Sequence, residues 1–117
     1  MVDARLKTKV WIHAFLHRCT LQGAYAAVAV PGDPDAGSVL LKVNTLGTGF
    51  YVLTRVRKLD GKQAWLRATG KDLVAETEAD AYITRQQTYD ADLWVIEIES
   101  RTGLVPIDEA EITQFPT

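Results

Sequence analysis

The chain has 117 residues, 47% of them hydrophobic and 24% charged, with a formal net charge of −2. That length fits a single domain over residues 1–117 able to bury its own core, and the composition excludes a disordered or fibrous chain. One cysteine, Cys19, excludes an intrachain disulfide and any multi-cysteine zinc site.

No stretch is apolar for long enough to span a bilayer, and the N-terminal run is broken by His13, unlike a signal peptide. A cytoplasmic, non-membrane protein is expected. The small net charge hides an asymmetry. Residues 1–71 carry 11 Lys or Arg against 4 Asp or Glu, and residues 72–117 carry 2 against 11. The expectation is internal complementarity, with acidic C-terminal elements beside basic strands; a dipolar surface that steers an acidic partner is the alternative.

The first helix is expected to be N-capped by Thr8 and closed by Gly23 as its C′ residue. Its apolar side chains cover about 240° of the circumference, where a helix on one sheet needs about 100°. Trp11, Ile12 and Phe15 lie on that surplus and are candidates for a homodimer interface. Cys19 falls on the same arc and reads as an inert buried thiol. His13 and His17 have the i, i+4 spacing of metal ligands. Lys9 one turn away and the lack of a neighbouring Glu make them surface histidines, and no metal or cofactor is expected.

Two strands, Ala24–Val30 and Ser38–Val43, flank the loop PGDPDAG and are expected to pair antiparallel. Asp33 and Asp35 in that loop are a candidate site. Pro31 and Pro34 offer no N–H for an anion, and the later carboxylates of a calcium loop are missing. A turn explains the residues better: Asp33 accepts from downstream N–H groups, and Gly32 or Gly37 supplies a positive φ. Both aspartates are expected to brace their own backbone and not to face a partner beside Lys42.

FYVLTRVRK and QAWLRAT flank Asp60-Gly61, the signal of a two-residue type I′ hairpin. That turn sets Val56 opposite Trp65, with Phe50 and Val52 on one core face. Tyr51, Leu53, Arg55 and Arg57 then share the other face with Ala64, Leu66 and Ala68. Tyr51, Arg55 and Arg57, with Lys58 and Lys62 near the tip, mix cation and aromatic as nucleic-acid surfaces do.

A second helix is expected from about Thr77, with Thr77 and Asp80 as a capping box and Ala79, Tyr82 and Ile83 as its apolar stripe. Leu93–Ser100 is the last clear strand. It alternates Trp94, Ile96 and Ile98 against Leu93, Val95, Glu97 and Glu99. Glu97 and Glu99 are expected to meet the arginines across the sheet, an acid/base pair being the alternative. After about residue 103 a weak tail follows, with Leu104–Ile107 as an edge strand. The fold class is α+β: a mainly antiparallel sheet of about five strands with two helices, in the order α-β-β-β-β-α-β.

One large nuclease superfamily has a core of similar order, with Pro-Asp followed on the next strand by an acid, any residue and lysine. Here Pro34-Asp35 precedes Leu40-Leu41-Lys42, so Leu40 stands where a metal ligand is required. Three stretches, RLKTKVWIHAFLHRC, VPGDPDAGSVLLKVN and EADAYITRQQTYDADLWVIEIESR, resemble the DUF1491 family of short alphaproteobacterial proteins, a domain of unknown function. The resemblance runs from Arg5 to about Arg101 and brings no activity, cofactor or catalytic residue with it. The reading is a non-enzymatic binding or assembly module, as a homodimer or with an unidentified protein partner. A nucleic-acid-associated protein using Tyr51, Arg55 and Arg57 is one alternative. A small metal-dependent hydrolase using Asp33, Asp35, Glu97 or Glu99 is another.

Overall fold

The computed structural model of the chain describes residues 7–57, 59–108 and 111–113; Lys58, the side chain of Arg57 and the last four residues lie outside that range. Chain order is α1 (Thr8–Leu21), β1 (Tyr25–Val30), β2 (Val39–Asn44), β3 (Phe50–Arg57), β4 (Gln63–Arg67), α2 (Glu76–Tyr89), β5 (Trp94–Glu99) and β6 (Ile112–Thr113). The α+β class and the order α-β-β-β-β-α-β hold, with two-residue β6 added at the end. One sheet runs β1-β5-β2-β3-β4-β6. Its β1–β5, β2–β3 and β3–β4 pairs are antiparallel, and β2–β5 and β4–β6 are parallel.

The two helices lie on opposite faces of this sheet. Ile12, Phe15 and Cys19 of α1 are fully buried against Leu41, Leu53, Ile96 and their neighbours. Ala79 and Ile83 of α2 close a second core over Leu40, Val52 and Val95. β2 sits between both cores, so Val39, Leu40, Leu41 and Val43 read as the near-continuous apolar run of a strand covered on both sides. Lys42 alone interrupts it.

β1 and β2 do not pair, contrary to the expected hairpin: β5 lies between them, antiparallel to one and parallel to the other. The PGDPDAG loop is therefore an arch across the start of β5. Asp33 N–H donates to the Asp92 carbonyl at 3.0 Å, and Trp94 Nε1 donates to the Asp33 carbonyl at 2.7 Å. Asp33 Oδ2 accepts from Ala36 N–H at 2.7 Å, which is the expected bracing. The glycines serve a different purpose from the one expected. Neither Gly32 nor Gly37 has a positive φ; each presses so close to Asp92 that a Cβ would collide with its carbonyl.

The same arch caps α1. Thr8 does not N-cap; Lys7 holds that position without a side-chain bond. The first N–H groups of α1 instead donate to loop carbonyls, Thr8 to Asp35 at 3.3 Å and Lys9 to Pro34 at 2.9 Å. At the other end Gly23, with φ +80°, forms the expected C′ residue. Its N–H donates to the Thr20 carbonyl and that of Ala24 to Cys19, the paired bonds of a Schellman motif.

The β3–β4 hairpin differs by one residue from the expected register. Arg57 pairs with Gln63, Val56 with Ala64 and Arg55 with Trp65. Pairing that stops there leaves an odd-numbered loop, within which Asp60 Oδ1 accepts from Lys62 N–H and Gly61 has φ +84°. A slip of one turns β4 over. Trp65 therefore shares the α1 face with Tyr51, Leu53 and Arg55, while Ala64 and Leu66 turn to the same face as Val52. Two smaller expectations also fail. Ala75, without a side-chain bond, is the N-cap of α2 instead of Thr77, and Leu104–Ile107 form no strand.

Candidate functional site

Where α2 stops short of covering the sheet, a cleft of about 210 Å³ opens beside β1, lined by Tyr25, Ala27, Lys42, Asn44, Phe50, Glu76, Glu97 and Glu99. Its floor is set by strand alternation. Lys42, Glu97 and Ala27 are register partners across β2, β5 and β1 and point to one face. One helical turn separates Glu76 from Asp80, so both reach down from the start of α2.

Lys42 is the electrostatic centre. Its side chain is only 7% exposed, and its ammonium lies 2.8 Å from Glu76, 2.7 Å from Asp80 and 3.8 Å from Glu97. It also stands 5.4 Å above the Phe50 ring. Burial alone pulls the ammonium pKa down, but the hydrogen bonds to Asp80 and Glu76 outweigh it, so the net shift is upward. Lys42 is thus charged at neutral pH and serves as an internal counter-ion. It offers no base, and one cation does not balance three carboxylates. Glu99 adds a fourth beside it, with no ion pair among the described residues. The cleft is therefore acidic.

β1 forms the rim. Its sequence YAAVAV contains no charge and no proline, and its outer edge pairs with no strand among the described residues. Tyr25 is 66% exposed, and Val28 and Val30 are each 37% exposed. At the opposite end the edge strand is the two-residue β6, paired with Trp65 and Leu66 of β4. Natural sheets blunt open edges with charges, prolines or bulges. Here the one device within β1 is a register break between Val28 and Val30.

The other sequence candidates disperse. Asp35 is exposed and lies 3.7 Å from Lys7, while Asp33 lies beside Trp94. Glu97 and Glu99 lie three and five positions along β5 from Trp94, about 10 and 17 Å, so the aspartates and glutamates do not form one centre. Glu97 and Glu99 also do not meet Arg55, which lies on the other face because it pairs in register with Trp65. Arg55 packs 4.5 Å over the Trp11 ring and 5.6 Å from Trp65, and burial lowers its pKa. Trp11 in turn stacks on Phe15 at 4.9 Å. Tyr51 is 6% exposed and donates to the Gly103 carbonyl at 2.6 Å, so it presents no ring to stack on a base. Ile12 and Phe15 are enclosed by their own chain, which leaves Trp11 as the half-buried member of the expected interface. Burial pushes the Cys19 thiol up to about 11.

Among the described residues, no group of three or more His, Cys, Asp or Glu is placed to hold a metal ion, and no helix is long and apolar enough to cross a membrane. Sequence reading missed Glu76 and Asp80 as partners of Lys42 and missed β1 as a rim. The signal for β1 was the uncharged run YAAVAV, which takes on meaning only once the strand order makes it an edge.

These features define a small α+β protein whose mixed sheet ends, on one side, in the uncharged strand β1 beside an acidic cleft. A family model described as "Protein of unknown function (DUF1491)" matches residues 6–108, and the chain belongs to that family. A crystal structure of a DUF1491 family protein from Caulobacter crescentus CB15 is similar at 36% identity, with 86% of this chain and 92% of that one covered and a TM-score of 0.77. An NMR structure of a DUF1491 family protein from the same organism is 33% identical, covering 96% of this chain and all of that one, with a TM-score of 0.82. The solution structure of protein Atu0922 from A. tumefaciens shares the fold at 21% identity, covering 97% and 98% of the two chains, with a TM-score of 0.76. No curated protein matches the chain. The function of the family is unassigned.

Proposed function

We propose that the protein is a non-enzymatic binding module that takes up an extended, basic segment of a partner protein along the outer edge of β1. The observation that carries this reading is the edge itself: an uncharged strand whose outward N–H and C=O groups pair with no strand among the described residues. An added strand alternates its side chains between the two faces. On the α1 face they pack beside Ala26 and Val28, where apolar groups fit. On the α2 face they lie next to Tyr25 and Ala27, with Glu97 and Glu99 one strand further in, about 9.5 Å from the added strand. A lysine or arginine stem crosses the small Ala27 side chain to reach Glu97.

Charge also argues against a second copy as the occupant. A two-fold pairing of β1 with β1 puts both α2 faces on the same side and brings two acidic clefts together. We place the module in a bacterial cytoplasm, a reading supported by the free thiol of Cys19 and the bacterial source of the solved relatives.

Fluorescence anisotropy with an alternating Val-Lys hexapeptide tests the proposal. The expected Kd is about 10–100 µM at low salt, weakening as salt screens the exposed carboxylates. An alternating Val-Glu hexapeptide and the Ala27→Lys variant should each bind at least tenfold more weakly. Equal affinity for both peptides, or no saturable binding of the Val-Lys peptide, overturns the reading.

A further inference from the structure

On the opposite face of the sheet a second, partly open cavity of about 110 Å³ is lined by Tyr51, Leu53, Arg67 and the segment that carries Gly103, Val105 and Ile107, with Ile112 of β6 at its side. Its chemistry is asymmetric. One wall is a guanidinium, and the rest is apolar except for the Tyr51 hydroxyl, which is already committed to Gly103.

Arg67 is held there by register and by stacking. Its β3 partner is Leu53, so it projects to the α1 face, and its guanidinium lies 4.2 Å over the Tyr51 ring. Among the described residues no carboxylate pairs with it. Its Nε is buried and has no hydrogen-bond partner among the described residues. Burying an unsatisfied donor costs about 1–3 kcal/mol, more when the group is charged, and proteins rarely leave one unpaired. The guanidinium that carries this donor lines the cavity.

We propose that this cavity is a binding site for a small organic monocarboxylate. The carboxylate accepts hydrogen bonds from Arg67, and a short apolar tail packs against Leu53, Val105 and Ile107. Planar guanidinium and carboxylate match as a two-bond fork. Inorganic phosphate fits poorly, because its remaining charged oxygens would face apolar walls with no second cation. Size limits the occupant: a cavity of about 150 Å³ accommodates benzene, so this one takes about four to six heavy atoms, the range from acetate to isobutyrate. The site is separate from the β1 edge and stands or falls independently of it.

Titration of isotope-labelled protein with sodium isobutyrate, followed by amide chemical shifts, tests the assignment. Isobutyrate should shift Tyr51, Val105 and Ile107 saturably, with a Kd of about 1–10 mM. Isobutyramide, the neutral isostere, should bind at least tenfold more weakly. The Arg67→Met variant, which keeps an apolar stem over Tyr51, should lose the response at least tenfold. Comparable binding of isobutyramide would reduce the cavity to an apolar void. Phosphate shifts equal to those of isobutyrate would reduce Arg67 to an exposed cation. No saturable shift below about 100 mM isobutyrate overturns the site outright, and this wild-type measurement does not depend on whether the variant folds.

Discussion

Three ion pairs among the described residues converge on the single side chain of Lys42. Its ammonium is nearly buried, whereas Glu76, Asp80 and Glu97 keep more than half of their side-chain surface in water. The two sides of the cluster are therefore unequal. Removing the lysine leaves carboxylates that water can solvate; removing the carboxylates strands a charge that water cannot reach. Lys42→Met should cost about 1 kcal/mol or less, and Glu76→Gln with Asp80→Asn about 2 kcal/mol or more, discounted from the fully buried case for the exposure of the acids. Urea denaturation checks the ranking. The upward shift of Lys42 fixes the pH dependence. The stability it contributes is present in full below its unfolded value of 10.5 and is lost as pH rises through the higher folded value. The deficit of the double variant should accordingly shrink at pH values above about 10.5.

At the scale of elements, the sequence was most legible where a signal is local. Both helices, four strands before α2 and one after it follow from periodicity, and Gly23 closes α1 as its position implies. The misreadings share a cause: each needed to know which strand neighbours which. VPGDPDAGSVLLKV looks like a hairpin because hydrophobic alternation does not encode strand order, and β5 arrives between its arms from the far end of the chain. Asp60-Gly61 marks a turn correctly, but loop length sets register, and one residue moved Trp65 to the other core. The arch makes a testable contrast among glycines. Gly32→Ala and Gly37→Ala drive a Cβ into the Asp92 backbone and should each cost about 2–4 kcal/mol. Gly23→Ala meets nothing within 4 Å and carries only the strain of a positive φ, about 1 kcal/mol. Thermal melts of the three variants should separate into these two groups.

The molecule as a whole resolves the charge asymmetry in part. The acidic half meets the basic half at Lys42, as internal complementarity requires, yet Arg55 and Arg67 sit on the other face against aromatic rings instead of carboxylates. Four of the acids, Glu76, Asp80, Glu97 and Glu99, gather on the α2 face around Lys42 and the cleft beside β1. Residue types alone made Lys42, Glu97 and Glu99 visible as candidates. Their convergence depends on β5 lying next to β2, and the importance of β1 depends on its outer side pairing with no strand among the described residues. The two ends of the sheet are built differently: one ends in the two-residue β6, and the other in the six-residue, uncharged β1, whose outer side pairs with no strand among the described residues and has an acidic cleft behind it. That difference is the basis of the binding function proposed for this chain.

Amide chemical-shift mapping of the wild-type protein with the alternating Val-Lys hexapeptide tests that function most directly. The account predicts saturable shifts confined to Tyr25–Val30 and to Glu97–Glu99 behind them, with the amides of α1 and of β4 unmoved. Shifts centred on Trp11, Arg55 and Trp65, or a response spread evenly over the surface, would contradict it.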